Sequence, residues 1–518
     1  MSTFNLGEDH MTAGIALAIA RGHKKLQISE KATKSVENSA QIVDDIAFGE
    51  RTVYGINTGF GPLCDTKISP NDTKELQRKI LLSHSVGTGE PISKELSKVM
   101  MILKVHALCK GFSGVSLLVV ERILFQIEND IIPVVPKQGS VGASGDLAPL
   151  SHLFLPLLGE GYVWGEKGRI PTKEVLSKMG LAPVVLGAKD GLALINGTQF
   201  IAAHAVQLIE RMYNILSTAD ISAAMMVEGL MGSEMPFNAQ LHETRPHIGN
   251  VHVASRVRAL LKDSEIVVSH KNCDKVQDPY SLRCVPQVHG TSRNAWLHLK
   301  ETVEVEINSV TDNPIIFSTD LTISGGNFHG QPMALPIDYA GLACSEIGNI
   351  SDRRAYLALE GKYEGTPKLL MEGAGLDSGF MILQYTTAAL ASENKGLCWP
   401  ASADSVPTSM GQEDHVSMGS ISGRRANEIC GNVEQILAIE LMCAAQAFDF
   451  RKKDGLKGGI VMERLHAEIR KHVAFANEDR IFGDDIEKMV ELVRSGVLLE
   501  ISKSIVGEGT YGELFETY

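Results

Sequence analysis

The stretch "TQFIAAHAVQLIERMYNILSTADISAAMMVEGL" (198–230) has no proline and a single glycine near its end. Its apolar residues fall on several sides of a helix, and its many alanines let neighbouring helices pack closely. Similar stretches follow at 291–310, 333–360 and 415–451. Such lengths exceed that of the usual helix. The sequence therefore predicts a bundle of long helices, whose all-round apolar content indicates burial against other subunits as well.

The chain before residue 197 has a different sequence pattern, in which short helical stretches alternate with glycine-rich loops. Helical spacing of apolar residues occurs over 75–86 and 97–114, and two short strands with a turn at Gly165–Gly168 are predicted over 161–164 and 168–170. We therefore expect two domains. A smaller mixed N-terminal domain would span 1–196, and a mainly α long-helix bundle with a C-terminal helical region would span 197–518.

Composition narrows the class of protein. The 518 residues carry a net charge of -13, which makes nucleic-acid phosphates poor partners. The eight cysteines are scattered without a CxxC pair, as in a reduced cytoplasmic protein. The sequence offers neither a basic leader nor an apolar run of about 18 residues, so we expect no membrane partner. His270 and Cys273 in "HKNC" have no second pair at zinc spacing, so no metal is expected.

The stretch "GSVGASGDLAPLSH" (139–152) places four small residues directly before a helical pattern. One interpretation is a plain turn, in which glycine takes a positive φ and Ser144 or Asp146 caps the helix. The other interpretation is chemical. The unhindered Gly145 nitrogen can attack the Ala143 carbonyl carbon. Loss of water from that ring and of the Ser144 hydroxyl then leaves a methylidene-imidazolone, an electrophile that no ordinary side chain supplies.

The same stretch resembles the cofactor-forming segment of the aromatic amino acid ammonia-lyases and aminomutases. Other blocks resemble the family in the same order over about 50 to 450: "YGINTGFGPL" (54–63), "GLALINGTQ" (191–199), "QDPYSLRCVPQVHG" (277–290), "TDNPI" (311–315) and "SGGNFHG" (324–330). The resemblance implies a helical bundle of the fumarase-like superfamily type, assembled as a homotetramer with sites shared between subunits. It also implies a 4-methylidene-imidazole-5-one (MIO) cofactor formed from Ala143, Ser144 and Gly145, and no external cofactor.

The resemblance also implies roles for individual residues. Tyr54 would be the base that removes the β-proton, with Tyr280 as a further catalytic residue. Arg283 would bind the substrate carboxylate, a bidentate task that suits a guanidinium. Asp146 would assist ring formation. The remaining residues that would line the site, near the cofactor or the substrate, are Asn196, Gln277 and Phe328.

Two positions bear on the substrate. Ser83-His84 and Glu413 resemble the pattern of family members that act on histidine, which implies deamination of L-histidine to trans-urocanate. A carboxylate at Glu413 can hold an imidazole N–H and would be an unpaired charge against a benzene ring.

Alternatives remain at both positions and for the chain as a whole. Ser83-His84 also occurs in some tyrosine lyases, and Glu413 can be an acid in a helix's first turn, after a capping box of Ser409 and Gln412. A tyrosine or phenylalanine lyase, an aminomutase and a non-enzymatic helical scaffold stay open. The chain departs from the expected pattern at Gly330-Gln331, Cys398-Trp399 and Gly411.

Overall fold

The structure is a computed structural model that describes residues 2–59, 61, 68–69, 72–271, 275–507 and 509–518. Twenty α-helices and eight short strands occur among these residues, so the prediction of a mainly helical fold is confirmed. None of the helices in the described ranges is both long enough and apolar enough to cross a bilayer.

The helices, in chain order, are α1 (Ala13–Ala20), α2 (Glu30–Phe48), α3 (Thr73–His84), α4 (Lys94–Leu108), α5 (Leu117–Glu128), α6 (Leu147–Phe154), α7 (Thr172–Lys178), α8 (Asp190–Ile195), α9 (Gln199–Gly229) and α10 (Ala239–Glu243). They continue with α11 (Ile248–Leu260), α12 (Glu265–Ser269), α13 (Tyr280–Arg283), α14 (Val285–Ile307), α15 (Gln331–Leu359), α16 (Met381–Leu397), α17 (Gly419–Lys453), α18 (Ile460–His472), α19 (Phe482–Ser495) and α20 (Val497–Val506).

The strands form four separate pairs. The first is parallel, β1 (Thr3–Asn5) with β2 (Lys25–Gln27). The antiparallel pairs are β3 (Thr88–Pro91) with β4 (Pro136–Gln138), β5 (Tyr162–Gly165) with β6 (Gly168–Pro171), and β7 (Ile315–Ile316) with β8 (Thr322–Ile323). The pair β5–β6 confirms the predicted hairpin. The loop that resembles the cofactor-forming segment follows β4.

Four long helices, α9, α14, α15 and α17, occur where the sequence predicts them. Two of their starts differ from the prediction. Helix α14 begins earlier, at Val285, because Pro286 is well suited to the first turn of a helix. Helix α17 begins later, at Gly419, because Met418 has a positive φ of 55° that interrupts helical geometry just before it.

The chain forms two compact units, each made of three segments. The first unit comprises Met1–Gln207, Lys300–Asp338 and Pro400–Arg424, and the second comprises Leu208–Leu299, Tyr339–Trp399 and Arg425–Tyr518. The chain passes from one unit to the other five times: inside α9, α14, α15 and α17, and once just after α16. The predicted division at 196/197 stays a prediction about domains, since these units follow other boundaries.

The second unit has a buried cluster of charges beside its large apolar core. Asp220 on α9 accepts hydrogen bonds from Arg256 and Arg293, and His289 lies 2.8 Å from its other oxygen. Burial raises the pKa of Asp220, but the charge of Arg293 and the contacts with His289 and Arg256 outweigh burial and hold it well below its usual range. These contacts tie α9 to α11 and α14 through an ionised carboxylate.

Candidate active site

The loop between β4 and α6 presses residues 143–145 against a second stretch of backbone. Gly145 has a positive φ of 74°, in the left-handed region where glycine carries little strain. A Cβ atom at Gly145 would lie 2.1 Å from the Gly197 carbonyl oxygen, which is too close for any side chain. The Asp146 amide donates a hydrogen bond of 2.7 Å to that same oxygen. Close packing of backbone therefore requires glycine at this position, in addition to the φ angle.

Asp146 occupies the N-cap position of α6, but its side chain makes no capping hydrogen bond there. The carboxylate instead accepts hydrogen bonds from the Phe200 and Ile201 amides, at 3.1 and 3.0 Å, in the first turn of α9. The Ser140 hydroxyl donates to its other oxygen at 3.1 Å. Burial raises the pKa of Asp146 to about 7 and outweighs these hydrogen bonds, which lower it. The interpretation of Asp146 as a side-chain cap is thus wrong, because this carboxyl group ties the loop to α9.

Ser144 also does not cap the helix that follows it. Its hydroxyl donates a hydrogen bond of 2.9 Å to Glu413 Oε1. Its carbonyl accepts a hydrogen bond of 3.0 Å from Asn196 Nδ2, at the end of α8. Asn196 is 4% exposed, and its Oδ1 atom has no hydrogen-bond partner within the described part of the chain. Ser144 is therefore held from both sides, beside a buried acceptor that remains available.

Two hydroxyl groups orient the Glu413 carboxylate. Thr408 Oγ1 and Ser409 Oγ donate to Glu413 Oε2 at 2.8 and 2.7 Å, while Oε1 faces Ser144. Backbone hydrogen bonds between Thr408 and Glu413 close the turn around them. The turn holds a short 3-10 segment, Ser409–Gly411, in which Met410 has a positive φ of 57° and no side chain caps the start. The capping-box alternative is therefore wrong, and the Ser409 hydroxyl serves Glu413.

A cavity of about 520 Å³ lies over this loop, within the volume range of small-molecule sites. Its polar lining comes from Tyr54, Lys79, Ser83, His84, Ser144, Asn196, Ser409 and Glu413, and its apolar lining from Ile68, Leu76, Ile80, Leu147 and Leu192. The cavity thus brings together, in one compact unit, five residues that the sequence singles out: Tyr54, His84, Ser144, Asn196 and Glu413.

Tyr54 and His84 reach the cavity from different elements. The Tyr54 hydroxyl accepts a hydrogen bond of 3.3 Å from the Gly61 amide. His84 is the last residue of α3, and its Nδ1 lies 3.0 Å from the Ser83 hydroxyl. Burial lowers the pKa of His84, against opposing contributions that include the Glu413 charge. Its imidazole is consequently neutral near pH 7 and can exchange hydrogen bonds with a polar ring.

The other predicted site residues do not line this cavity. Phe328 is half-buried in the loop before α15. Gln277, Tyr280 and Arg283 belong to the second unit, where Tyr280 is 70% exposed. The Arg283 guanidinium stacks over the Tyr280 ring at 4.6 Å, and its Nε donates to the Asp278 carbonyl at 2.9 Å. Gln277 and Tyr280 are exposed, and Arg283 is half-buried against the Tyr280 ring.

His270 of the "HKNC" segment is engaged by main-chain oxygens. Its two ring nitrogens lie 2.7 and 2.9 Å from the Ile266 and Gly232 carbonyl oxygens. Cys273 lies outside the described residues. No cluster of three or more His, Cys, Asp or Glu side chains suited to a metal ion occurs in the ranges that the structure describes.

Sequence reasoning missed the groups that support these side chains. Thr408 and Ser409 precede Glu413 by five and four residues, but only the tight turn brings their hydroxyls to its carboxylate. Lys104 donates a hydrogen bond of 2.6 Å to the Asn196 carbonyl. The signal for Lys104 was present, since it interrupts the apolar face of "VMMILKVHAL" (99–108).

Comparison with known proteins assigns the chain and its fold to one family. The profile of the family described as "Aromatic amino acid lyase" matches residues 11–471. The chain therefore belongs to the aromatic amino acid lyase family, and the predicted fold type is confirmed.

Several relatives carry more specific names. The histidine ammonia-lyase of Myxococcus xanthus is 44% identical over 491 residues, which cover 94% of this chain and 96% of the relative. That of Vibrio cholerae is 45% identical over 481 residues, covering 92% and 94%. The crystal structure of histidine ammonia-lyase from Trypanosoma cruzi matches with a TM-score of 0.91 and 38% identity, over 100% of this chain and 98% of that one. Tyrosine aminomutase from Streptomyces globisporus matches with the same TM-score at 31% identity, over 98% and 99%.

The close contact of Gly145 with Gly197 predicts a large loss of stability when alanine replaces Gly145. Gly22 is a matched control, because its φ is 75° and a Cβ there would meet nothing within 4 Å. Gly22→Ala should destabilise the protein by about 1–2 kcal/mol through φ strain alone. Gly145→Ala should lower the free energy of unfolding by about 4 kcal/mol or more, because the backbone segments at residues 145 and 197 must also move apart. Thermal unfolding midpoints measure the stability of both variants. Equal decreases in the two midpoints would contradict the close contact at Gly145.

Proposed function

We propose that this chain removes ammonia from L-histidine to give trans-urocanate, the first step of histidine degradation. The chain is a carbon–nitrogen lyase, the class that its family and relatives define. The relatives from M. xanthus and V. cholerae, at 44% and 45% identity, are both named histidine ammonia-lyase. The observation that carries the choice of substrate is the Glu413 carboxylate, which lies in the cavity 2.9 Å from the Ser144 hydroxyl.

Glu413 and His84 recognise the imidazole ring of the substrate. The carboxylate accepts the ring N–H, and Thr408 and Ser409 keep it in position while they leave Oε1 directed into the cavity. Neutral His84 offers a second hydrogen-bonding partner. A benzene ring in the same place would offer no N–H to Glu413 Oε1, and a carboxylate oxygen that lacks a donor from the substrate in a mostly apolar cavity is costly. The site therefore favours histidine over phenylalanine.

Ala143, Ser144 and Gly145 fit an MIO group formed from the chain itself. Gly145 presents an unhindered nitrogen in a left-handed turn, and Ala143 is small and buried. Asn196 donates to the Ser144 carbonyl, which would remain a carbonyl in the closed ring, and its Oδ1 is a buried acceptor without a partner in the described ranges. When formed, the ring supplies an electrophile that makes the substrate amino group a better leaving group. No external cofactor is proposed.

The elimination breaks the Cβ–H and Cα–N bonds of the substrate and forms a Cα=Cβ double bond. Tyr54 is the proposed base for the β-proton. The Gly61 amide donates to the Tyr54 oxygen, and a hydrogen bond to that oxygen stabilises the phenolate form that a base requires. Asn196 Oδ1 is the proposed acceptor of a hydrogen bond from the substrate amino group, since it is buried in the cavity lining without a partner among the described residues. Asp146 holds the loop for ring formation, and Phe328 is proposed to pack at the ring.

We assign Gln277, Tyr280 and Arg283 to a site completed by a neighbouring subunit of a homotetramer. Arg283 would bind the substrate carboxylate there, and Tyr280 would act beside it. Support comes from α15, where Leu335, Tyr339 and Leu342 share one helix face and are about half exposed. Such a face is typical of an interface between subunits. A cytoplasmic location is part of the proposal, in keeping with scattered thiols.

Intact mass tests the internal cofactor. The mature chain should be two water molecules lighter than its sequence mass. Ser144→Ala should lose at most one water and should have no activity above background, because it has no hydroxyl to eliminate. Ser151→Ala should retain the full deficit, because the Ser151 hydroxyl, in the same segment, donates to the Leu147 carbonyl of its own helix. A wild-type chain of full sequence mass would overturn the internal cofactor.

Replacement of Glu413 tests the substrate. Glu413→Gln should lower kcat/KM for histidine by about 10- to 100-fold, because a charge-assisted hydrogen bond is lost. Activity on phenylalanine should not fall in parallel. Asp414→Asn removes an exposed neighbouring acid and should leave both values unchanged. The assignment would be wrong if Glu413→Gln acted like Asp414→Asn.

Mixed assemblies test whether subunits share a site. Tyr54→Phe and Arg283→Gln should each be inactive alone, but co-expression should restore up to about a quarter of the sites by random mixing. The control pair is Tyr54→Phe with Glu413→Ala, which should not complement because both residues line one cavity of one chain. Failure of the first pair to recover activity would argue for sites contained within single subunits.

A further inference from the structure

Lys104 is a buried cation that the proposed reaction does not use. It lies on α4 and is 1% exposed. Its Nζ atom donates a hydrogen bond of 2.6 Å to the Asn196 carbonyl oxygen. Burial of an ammonium group is costly, and an apolar side chain of similar size would fill the same space without that cost. A specific use of the charge is therefore expected.

The hydrogen bond of Lys104 reaches the backbone on which the reactive loop rests. We call Asn196 and Gly197 the loop platform. Asn196 Nδ2 donates to the Ser144 carbonyl, and the Gly197 carbonyl accepts the Asp146 amide. Gly197 also forms a parallel bridge with Gly145. Lys104 thus holds one carbonyl of the platform, and the next carbonyl along the chain holds the loop.

The backbone of the platform is tightly packed at Gly197. The φ of Gly197 is 141°, and a Cβ there would lie 2.5 Å from Gln199 Oε1 and 3.0 Å from the Thr311 carbonyl oxygen. Asn196 directly follows the last turn of α8, where the helix has already ended. The Lys104 hydrogen bond restrains the Asn196 carbonyl, and the side chain of the same residue donates to the Ser144 carbonyl.

We infer that Lys104 is a positioning residue for ring closure, which fixes the loop platform so that Ser144 and Gly145 are held in the geometry of cyclisation. This rests on the proposed function, since it concerns formation of the proposed cofactor. Ring closure joins the Gly145 nitrogen to the Ala143 carbonyl carbon. The first water takes the Ala143 oxygen and the amide protons of Gly145 and Ser144. The second takes the Ser144 hydroxyl and the Ser144 Cα proton, and Lys104 exchanges no proton in either step.

Burial and neighbouring charges together set the pKa of Lys104, and so its charge near pH 7. Burial lowers its pKa to about 8, the negative charge of Asp312 opposes that shift, and Lys189 adds to it. Lys189 itself forms a buried ion pair with Asp312 at 2.7 Å and donates to the Ser113 carbonyl at 2.8 Å. Asp312 is therefore paired directly with Lys189, while the Lys104 ammonium donates to the Asn196 carbonyl. Near pH 7 Lys104 remains mostly charged.

The test follows ring formation directly, by intact mass at intervals after cell-free synthesis of the full chain. Lys104→Met removes the charge and the donor but keeps the side-chain length. It should slow the loss of water by about tenfold or more, because a charge-assisted hydrogen bond is lost. Val105→Ala, at a fully buried site on the same helix, should lower the unfolding midpoint and dehydrate at the wild-type rate.

Two further variants keep the inference falsifiable. Lys104→Arg retains a cation and a donor, so it should lose water faster than Lys104→Met. If Lys104 only filled space, the two variants should lose water at the same rate. If Lys104→Met does not fold, Lys104→Gln, which is neutral and shorter, replaces it in the test. This variant should also lose water slowly. Dehydration at the wild-type rate in the folded neutral variant would overturn the inference. A wild-type chain of full mass would overturn the proposed cofactor instead, so the two failures are distinguishable.

Discussion

Two backbones meet without side chains between them at Gly145 and Gly197, and the chemistry proposed for this chain depends on that contact. The Gly197 carbonyl oxygen would lie 2.1 Å from a Cβ of residue 145, and it accepts a hydrogen bond of 2.7 Å from the Asp146 amide. Asn196, one residue earlier, reaches the Ser144 carbonyl. The loop is thereby held as a tight turn on a fixed support, which is the condition that an attack by the Gly145 nitrogen on its own backbone requires.

The rest of the first unit maintains this geometry with buried polar groups. Asp146 connects the loop to the first turn of α9, and Lys104 connects α4 to the carbonyl of Asn196. Opposite the loop, Thr408 and Ser409 orient Glu413 so that one oxygen stays directed at Ser144. A small set of hydrogen bonds thus joins segments far apart in sequence, and the same carboxylate that contacts Ser144 is the proposed partner of the substrate ring.

The sequence predicted the long helices well, because a composition rich in helix-forming residues favours them locally, although α15 contains Pro336. It predicted the start of α17 poorly, because the left-handed turn at Met418 depends on tertiary packing. The convergence of Tyr54, His84, Ser144, Asn196 and Glu413 could be expected from the family resemblance alone, since residues on five separate segments carry no spacing signal. The bonds of Asp146 to α9 and of Lys104 to Asn196 join distant parts of the chain. No local pattern specifies such contacts.

Arg283 and Tyr280 are the residues for which the proposal requires a second subunit. They stack on each other in the second unit, where Tyr280 is exposed and Arg283 is half-buried. The cavity over the loop has no guanidinium among its described lining residues. A guanidinium suits a substrate carboxylate because it can donate two parallel hydrogen bonds, and this is why the proposal includes a shared site. The apolar face of α15 supplies a surface through which subunits would associate.

The most direct test of the account is the product formed by the purified chain, without any added cofactor, from L-histidine, L-tyrosine and L-phenylalanine in turn. Ultraviolet spectra distinguish the conjugated products, and chromatography detects any β-amino acid. The account predicts urocanate and ammonia in equal amounts from histidine, with little product from the other two. A chain that forms no urocanate, but deaminates or isomerises tyrosine or phenylalanine, would contradict it.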